Sequence, residues 1–403
     1  MHLFRKALLF SIILLLLTGS SVFVSAATLN TTGLFPQGVT IKGIPVGGLS
    51  PAEAALELQS RLPSPDKESL VITDAGKSYT IKLPEIEALY DYLSSADDAL
   101  SCFYKGNYIS QLINVLRLQA KPVDMALRIS FSKEKVEEKV VSIQKEWETP
   151  FVDAAVTLSE GKVTIIPEKE GYQLDFEKTL ERIFSALSEG NLNVAAVGRF
   201  IKPNITSDDL AGINSMLAEY STTFDKSAVN RSHNIALASA TLNGCLLKPG
   251  EIFSLNKRLG PRLAVTGYLQ APVFVGNQLA LDIGGGICQV ATTLYNAAIL
   301  ADLPVIERHP HPLPVSYVAP GLDATIAGDY LDLKFINNTD APVYISSLVE
   351  NDTLTINIYG VKKENDRNIR ITSEKHVIDP EVVIIEDHSI PEGAIEEISA
   401  GSP

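Results

Sequence analysis

Three consecutive glycines, Gly284-Gly285-Gly286, run directly into Ile287-Cys288-Gln289-Val290-Ala291-Thr292-Thr293 and the apolar stretch Leu294–Leu300. Glycine lets a backbone double back sharply and lets another group approach the chain closely. The segment therefore predicts a tight turn that opens a helix, with Cys288 in its first turn. Free amides at a helix start favour an anion, so a thiol there ionises more readily than an ordinary one. The same amides can hold an oxyanion during acyl transfer. On the helix, Cys288, Thr292, Tyr295 and Ile299 share one face, so the thiol need not point into the core. The run is no phosphate loop, because the lysine and hydroxyl such a loop requires are missing.

Downstream, prolines restrict Glu307–Pro312 to an extended path. A two-residue period then puts His309 and His311 on one side, with Arg308 and Pro310 opposite. Either imidazole can serve as base to the thiolate, and Asp323, on the strand-like stretch Asp323–Ala327, can orient it. Cysteine at a helix start followed by histidine and aspartate on successive strands is the order of transglutaminase- and papain-like enzymes, an analogy of layout only. Other readings stand beside it. Cys288 can be a packed thiol in a glycine-tight turn, the histidines a structural pair, and Asp323 a turn former after Pro320-Gly321. Cys288, His309 and His311 can instead form a metal site. No cofactor is called for.

The 403 residues suffice for two or three domains, and 45% hydrophobic content with mean hydropathy +0.13 lets most of them bury a core. A net charge of −14 and a pI near 5.0 argue against nucleic acid as a partner. Arg5 and Lys6 precede the apolar run Ala7–Leu17, and Val24-Ser25-Ala26 has the small residues of a signal-peptidase site. Residues 1–27 thus read as a signal peptide or, if uncleaved, a membrane anchor, with the remainder exported. Cysteines 102, 245 and 288 form no disulfide framework or zinc motif, and Cys102 and Cys245 read as small core residues.

The chain reads as α+β and multidomain. Gly43–Leu49 suggests a strand and turn. Ser50 then caps a helix, with Pro51 at its first position, Glu53 completing a capping box, and Ala54, Leu58 and Leu62 on one face. Strands are expected at Leu70–Thr73 and Tyr79–Leu83. A helix over Lys133–Trp147 should bury Val136, Val140, Ile143 and Trp147. Lys162–Leu174 repeats the strand and turn, and Asp175 caps a helix striped by Leu180, Ile183, Phe184 and Leu187. A helix from Ser207 to about Tyr220, with Leu210, Ile213 and Leu217 on one face, is expected to bridge to a second unit. Residues 361–403 are acidic and linker-like, with short strands possible only at Ile369–Ile371 and Val382–Ile385.

Gly43–Ala54 and Ile165–Asp175 resemble the peptidoglycan-binding module found beside L,D-transpeptidase domains in Gram-positive cell-wall enzymes. That resemblance covers roughly 40–200 and implies an α+β fold facing the wall, with peptidoglycan as partner. Asn230-Arg231-Ser232-His233-Asn234-Ile235, the run from Leu242 to Ser254, and Gly284–Gln289 resemble the VanW family. So do His309–His311, Pro320–Thr325 and Asp332–Phe335. This family is named from accessory proteins of glycopeptide-antibiotic resistance clusters, and the resemblance implies no settled activity. Ala291 and Pro312 stand where serines are usual in the family, which argues against serine chemistry.

The expected domains are 1–27, 40–205 (peptidoglycan-binding module), 206–360 (VanW domain) and 361–403 (tail). Two functions are weighed: a Cys-His-Asp hydrolase or transpeptidase acting on peptidoglycan stem peptides through Cys288, His309 or His311, and Asp323, or a non-catalytic wall-binding scaffold. Arg231, Arg262, Gly284, Gly285, Gly286 and Gln289 are the candidate ligand-binding residues. The arginines suit stem-peptide carboxylates, unless they pair within the fold.

Overall fold

The computed structural model describes residues 33–105, 107–275, 278–362 and 367–374, with 376, 383–386, 388, 389, 391 and 393–396. The leader expected over residues 1–27 lies outside them. Among the described residues no helix is long and apolar enough to cross a membrane. The architecture is α+β, in two compact units. One comprises the described residues up to Phe151 with Glu170–Lys202, the other Val152–Lys169 with the described residues from Pro203 onward.

In the first unit local signals act as their chemistry dictates. Ser50 caps the helix Pro51–Arg61 through a complete capping box with Glu53, burying Ala54 and Leu58. Lys133–Trp147 buries Val136, Val140, Ile143 and Trp147. Asp175 caps Phe176–Ser188, which buries Leu180, Ile183 and Leu187, and Phe184 packs at the edge of the same core. Ser69–Asp74 is the central strand of a three-stranded sheet, antiparallel to Lys77–Lys82 and parallel to Asn193–Ala195. Tyr92–Phe103 and Tyr108–Ala120 are two further helices. Cys102 is exposed and does not join the core as expected. The first of these helices buries Ser95, Ala96, Ala99 and Phe103, a stripe that leaves position 102 on the outer side.

The second unit is built on a four-stranded antiparallel sheet in the order Ser215–Thr223, Thr353–Gly360, Val343–Glu350, Cys245–Leu247. The helices Val229–Leu242 and Ile287–Leu300 pack against it and each other. Ile235, Ala238, Val290, Leu294 and Ala297 meet Leu354, Ile356 and Ile358 in one core. A smaller sheet joins Ile252–Ser254, Lys334–Ile336 and Val305–Glu307, and a hairpin pairs Gln270–Val275 with Gln278–Ile283.

The helix expected from Ser207 to Tyr220 is not formed. Residues 207–212 make turns, closed where Asp209 accepts from the Thr206 hydroxyl (2.7 Å), and Gly212 takes a φ of +95°. The following residues pair along the whole of Thr353–Gly360. Leu210 and Ile213 are buried, but against Ala154, Val156, Tyr344 and Tyr359. Their spacing suits a helical stripe, yet sheet pairing absorbs the backbone groups of residues 215–223, and tertiary context overrides periodicity. The partner in that small cluster is the hairpin Ala155–Ser159/Lys162–Ile166, which belongs to this unit. The described residues from 361 onward contain no helix or strand, including Ile369–Ile371 and the described part of Val382–Ile385.

Candidate active site

Helix Ile287–Leu300 starts at Gly286, whose φ is +108°. A Cβ there would lie 2.9 Å from Cγ of Arg231, and one on Gly285 would lie 2.6 Å from the Pro272 carbonyl oxygen. Gly286 is required by its left-handed backbone as well as by this close approach, and Gly285 by the close approach alone. Asn234, fully buried, clamps the turn: its Nδ2 donates to the Leu269 and Gly285 carbonyls (2.8 and 3.0 Å), and its Oδ1 accepts from the Leu269 amide (2.8 Å). Cys288 is thereby fixed in the first helical turn. Among the described residues its own amide has no hydrogen-bond acceptor, the condition an oxyanion donor must meet.

The Cys288 sulfur is half-buried, 3.2 Å from Thr325 Oγ1 and 3.6 Å from the Ile326 carbonyl oxygen. It also shares a hydrogen bond with the His311 imidazole. His311 Nδ1 lies 2.7 Å from Asp323 Oδ2, which additionally accepts from the His311 amide at 2.6 Å. With Nδ1 so engaged, Nε2 is the nitrogen left for the sulfur. Arg308 donates to Asp323 Oδ1 (3.2 Å) and to the Asp323 carbonyl (2.7 Å), completing a chain of sulfur, imidazole, carboxylate and guanidinium. The stretch Asp323–Ala327 is not a strand but carries isolated bridges at Thr325 and Ala327, and Thr292, one turn beyond Cys288, ties it in place: its hydroxyl donates to the Ala324 carbonyl and accepts from the Ala324 amide.

The electrostatics follow from this packing. Burial pushes the Cys288 thiol up, but the hydrogen bonds from His311 and Thr325 and the His311 charge outweigh it, leaving the thiol more acidic than usual. Burial favours neutral His311, whereas Cys288 and Asp323 raise its pKa above the ordinary histidine value. Burial likewise opposes ionisation of Asp323, yet its bonds to His311 and the Arg308 charge hold it below the usual carboxylate range. The three shifts together favour thiolate, imidazolium and carboxylate.

The group opens into a cleft of about 1000 Å³ whose lining includes Arg231, Arg262, Cys288, His311, Tyr317 and Thr325. The other sequence candidates fall in different places. His309 does not share the His311 environment: its Nε2 meets Glu307 Oε1 at 3.1 Å, in a cluster with Lys334. The two rings therefore do not face one partner, as strict alternation would have them. Cys288, His309 and His311 do not converge, and among the described residues no three such donors are placed to hold a metal. Gln289 is 1% exposed and faces inward: its Nε2 donates to Thr222 Oγ1 and the Thr223 carbonyl, and its Oε1 accepts from Arg231 at 2.7 Å. Gln289 thus holds Arg231. Arg262 donates to Asn256 Oδ1 (2.8 Å) and to the Gly328 carbonyl. Gly284, Gly285 and Gly286 all line the cleft.

Thr325, Tyr317 and Asn234 carry parts of the site to which the sequence analysis assigned no role. Asn234 and Thr325 stand in stretches that carry the family resemblance, whereas Tyr317 had no signal.

A buried-edge thiol with an imidazole and a carboxylate behind it, on an α+β frame, defines the class of cysteine–histidine–aspartate sites. Residues 230–359 match the family model described as "VanW like protein", and residues 79–195 match that described as "Putative peptidoglycan binding domain". The chain is 33% identical over 221 residues to "Uncharacterized protein YoaR" of Bacillus subtilis (strain 168), covering 54% of this chain and 73% of that one. It is 32% identical over 139 residues to "Vancomycin B-type resistance protein VanW" of Enterococcus faecalis (strain ATCC 700802 / V583), covering 33% of this chain and 50% of that one. No solved structure matches. The chain belongs to the VanW family and carries a peptidoglycan-binding module, which makes it a cell-wall-associated protein.

Proposed function

We propose that this protein is an exported cysteine acyl-transfer enzyme acting on peptidoglycan stem peptides. The observation that carries the reading is the hydrogen-bonded series Cys288, His311, Asp323 at the wall of an open cleft. The Cys288 thiolate attacks a peptide carbonyl, and the oxyanion forms against the Cys288 amide. His311 Nε2 gives its proton to the departing amine, the C–N bond breaks, and a thioester remains on Cys288. An incoming amine or water then attacks the thioester, His311 takes the proton, and the thiolate is restored. An amine yields a new cross-link, water a hydrolysed stem. Asp323, held by Arg308, keeps the imidazole oriented and charged.

The peptidoglycan-binding module supports a wall substrate, and in this reading it keeps the enzyme on its polymer. Residues 1–27 serve as the export signal or, uncleaved, as a membrane tether. By likeness to the VanW relative, we also place the activity in the response of the wall to glycopeptide antibiotics.

The test is a digest of isolated peptidoglycan, comparing wild type with Cys288→Ala. New muropeptides that require Cys288, fall by roughly 10²–10⁴ in rate with His311→Ala and persist with His309→Ala are expected. Identical muropeptide profiles from wild type and Cys288→Ala would instead mark a passive wall-binding protein.

A further inference from the structure

Two guanidinium groups line the cleft, those of Arg231 and Arg262, and among the described residues neither makes an ion pair. Arg262 is committed to Asn256 and Gly328. Arg231 makes a single hydrogen bond among the described residues, to the neutral Gln289 Oε1, and lies 5.9 Å from the centre of the Tyr317 ring. A guanidinium has five N–H donors in a planar fork, so most of those on Arg231 are uncommitted. The group is also half-buried, where water compensates a charge poorly. Burial lowers its pKa, while Tyr317, Cys288 and Asp225 raise it.

Its place is set from two sides. The Gly286 position lies against Arg231 Cγ, and Gln289, next in sequence to the nucleophile, grips the guanidinium. The fork is therefore held in the cleft that the Cys288 sulfur also lines, by an amide side chain that is itself anchored to Thr222 and Thr223. Asp225, Asp282 and Asp352 also line the cleft, which disfavours anions that do not meet the fork directly.

We propose that Arg231 is a specificity-determining residue that binds the free C-terminal carboxylate of the acyl donor, so that the carbonyl preceding the last residue is presented to Cys288. The inference rests on the acyl-transfer reading above. Planar, bidentate pairing with a carboxylate is what a guanidinium fork is shaped for. In the resulting step the Cys288 sulfur–carbon bond forms and the last C–N bond of the donor breaks. The proton held on His311 goes to the amine of the released amino acid.

Two measurements test it. The first compares alkylation of Cys288 by iodoacetate and by iodoacetamide, located by peptide mass mapping, with exposed Cys102 as internal reference. In wild type the acetate-to-acetamide rate ratio at Cys288 should exceed that at Cys102 by roughly ten- to hundredfold. Arg231→Gln should bring it to the Cys102 value, and Arg231→Lys should retain part of it. Buried Cys245 reports folding, since it is alkylated only if the variant opens. If Arg231→Gln opens, Arg231→Lys decides. The second measurement follows thioester formation from a synthetic stem peptide as free acid and as C-terminal carboxamide. Wild type should prefer the acid through KM, and Arg231→Gln should treat both alike. A Cys288 that reacts with both reagents at a ratio unmoved by Arg231→Gln overturns the anchor alone. A Cys288 inert to both reagents and both peptides overturns the acyl-transfer reading and the anchor with it.

Discussion

Cys288 is a thiol whose ionisation is decided by two neighbours working against burial. An ordinary cysteine titrates near about 8.5, and thiolate is the form that alkylates. Because His311 and Thr325 stabilise the thiolate, the pH midpoint for alkylation of Cys288 by iodoacetamide should fall below that ordinary value. Removing the imidazole leaves the burial penalty unopposed by its largest counterweight, so His311→Ala should move that midpoint upward. A midpoint unchanged by His311→Ala would mean that the two side chains do not share a proton. Gly286 makes a second prediction. Alanine there must hold a φ of +108° and meet Arg231, so Gly286→Ala should cost about 1–3 kcal/mol in urea unfolding. The role of the glycine turn was legible in the sequence, because positive φ and close approach leave few substitutes. Which histidine meets the sulfur was not: alternation places 309 and 311 alike, and only Glu307 on one side and Asp323 on the other separate them.

The helix carrying the thiol is useful only while the turn before it is held, and Asn234 does this from the neighbouring helix Val229–Leu242. Asn234→Ala removes three hydrogen bonds and strands the Leu269 amide and the Gly285 carbonyl, while the Leu269 carbonyl keeps the Gly284 amide. At about 1–3 kcal/mol for each buried group left without its partner, partly relieved by water, a loss of about 2–4 kcal/mol is expected in denaturant unfolding. A loss under about 0.5 kcal/mol, within the range of ordinary surface changes, would show that the turn holds itself. Helices with caps and clean stripes, such as Pro51–Arg61 and Lys133–Trp147, were readable because local chemistry and burial agree. Ser215–Thr223 was not, because its partner Thr353–Gly360 lies far along the chain and the stripe of Leu210, Ile213 and Leu217 imitates a helix.

At the scale of the molecule, the chain between the two parts of the first unit contributes a hairpin to the second. Val156 on that hairpin packs with Leu210, Ile213, Tyr344 and Tyr359. Val156→Asp should therefore increase hydrogen exchange along Val343–Glu350 and Thr353–Gly360 while leaving Pro51–Arg61 and Lys133–Trp147 protected. The opposite pattern would assign the hairpin to the first unit. No composition shift announces this exchange of segments, since Lys162–Leu174 reads as one continuous strand-and-turn block. The α+β class was legible from alternating strand and helix signals, and the wall association from motifs at both ends. What joins these scales is a single covalent event at the sulfur. Intact-mass spectrometry of the full chain incubated with stem peptides, followed by peptide mapping, detects it directly. The account predicts an added acyl mass on Cys288, absent in Cys288→Ala and slowed in His311→Ala. An unmodified Cys288 in wild type, in a protein that also resists iodoacetamide at that residue, would contradict it.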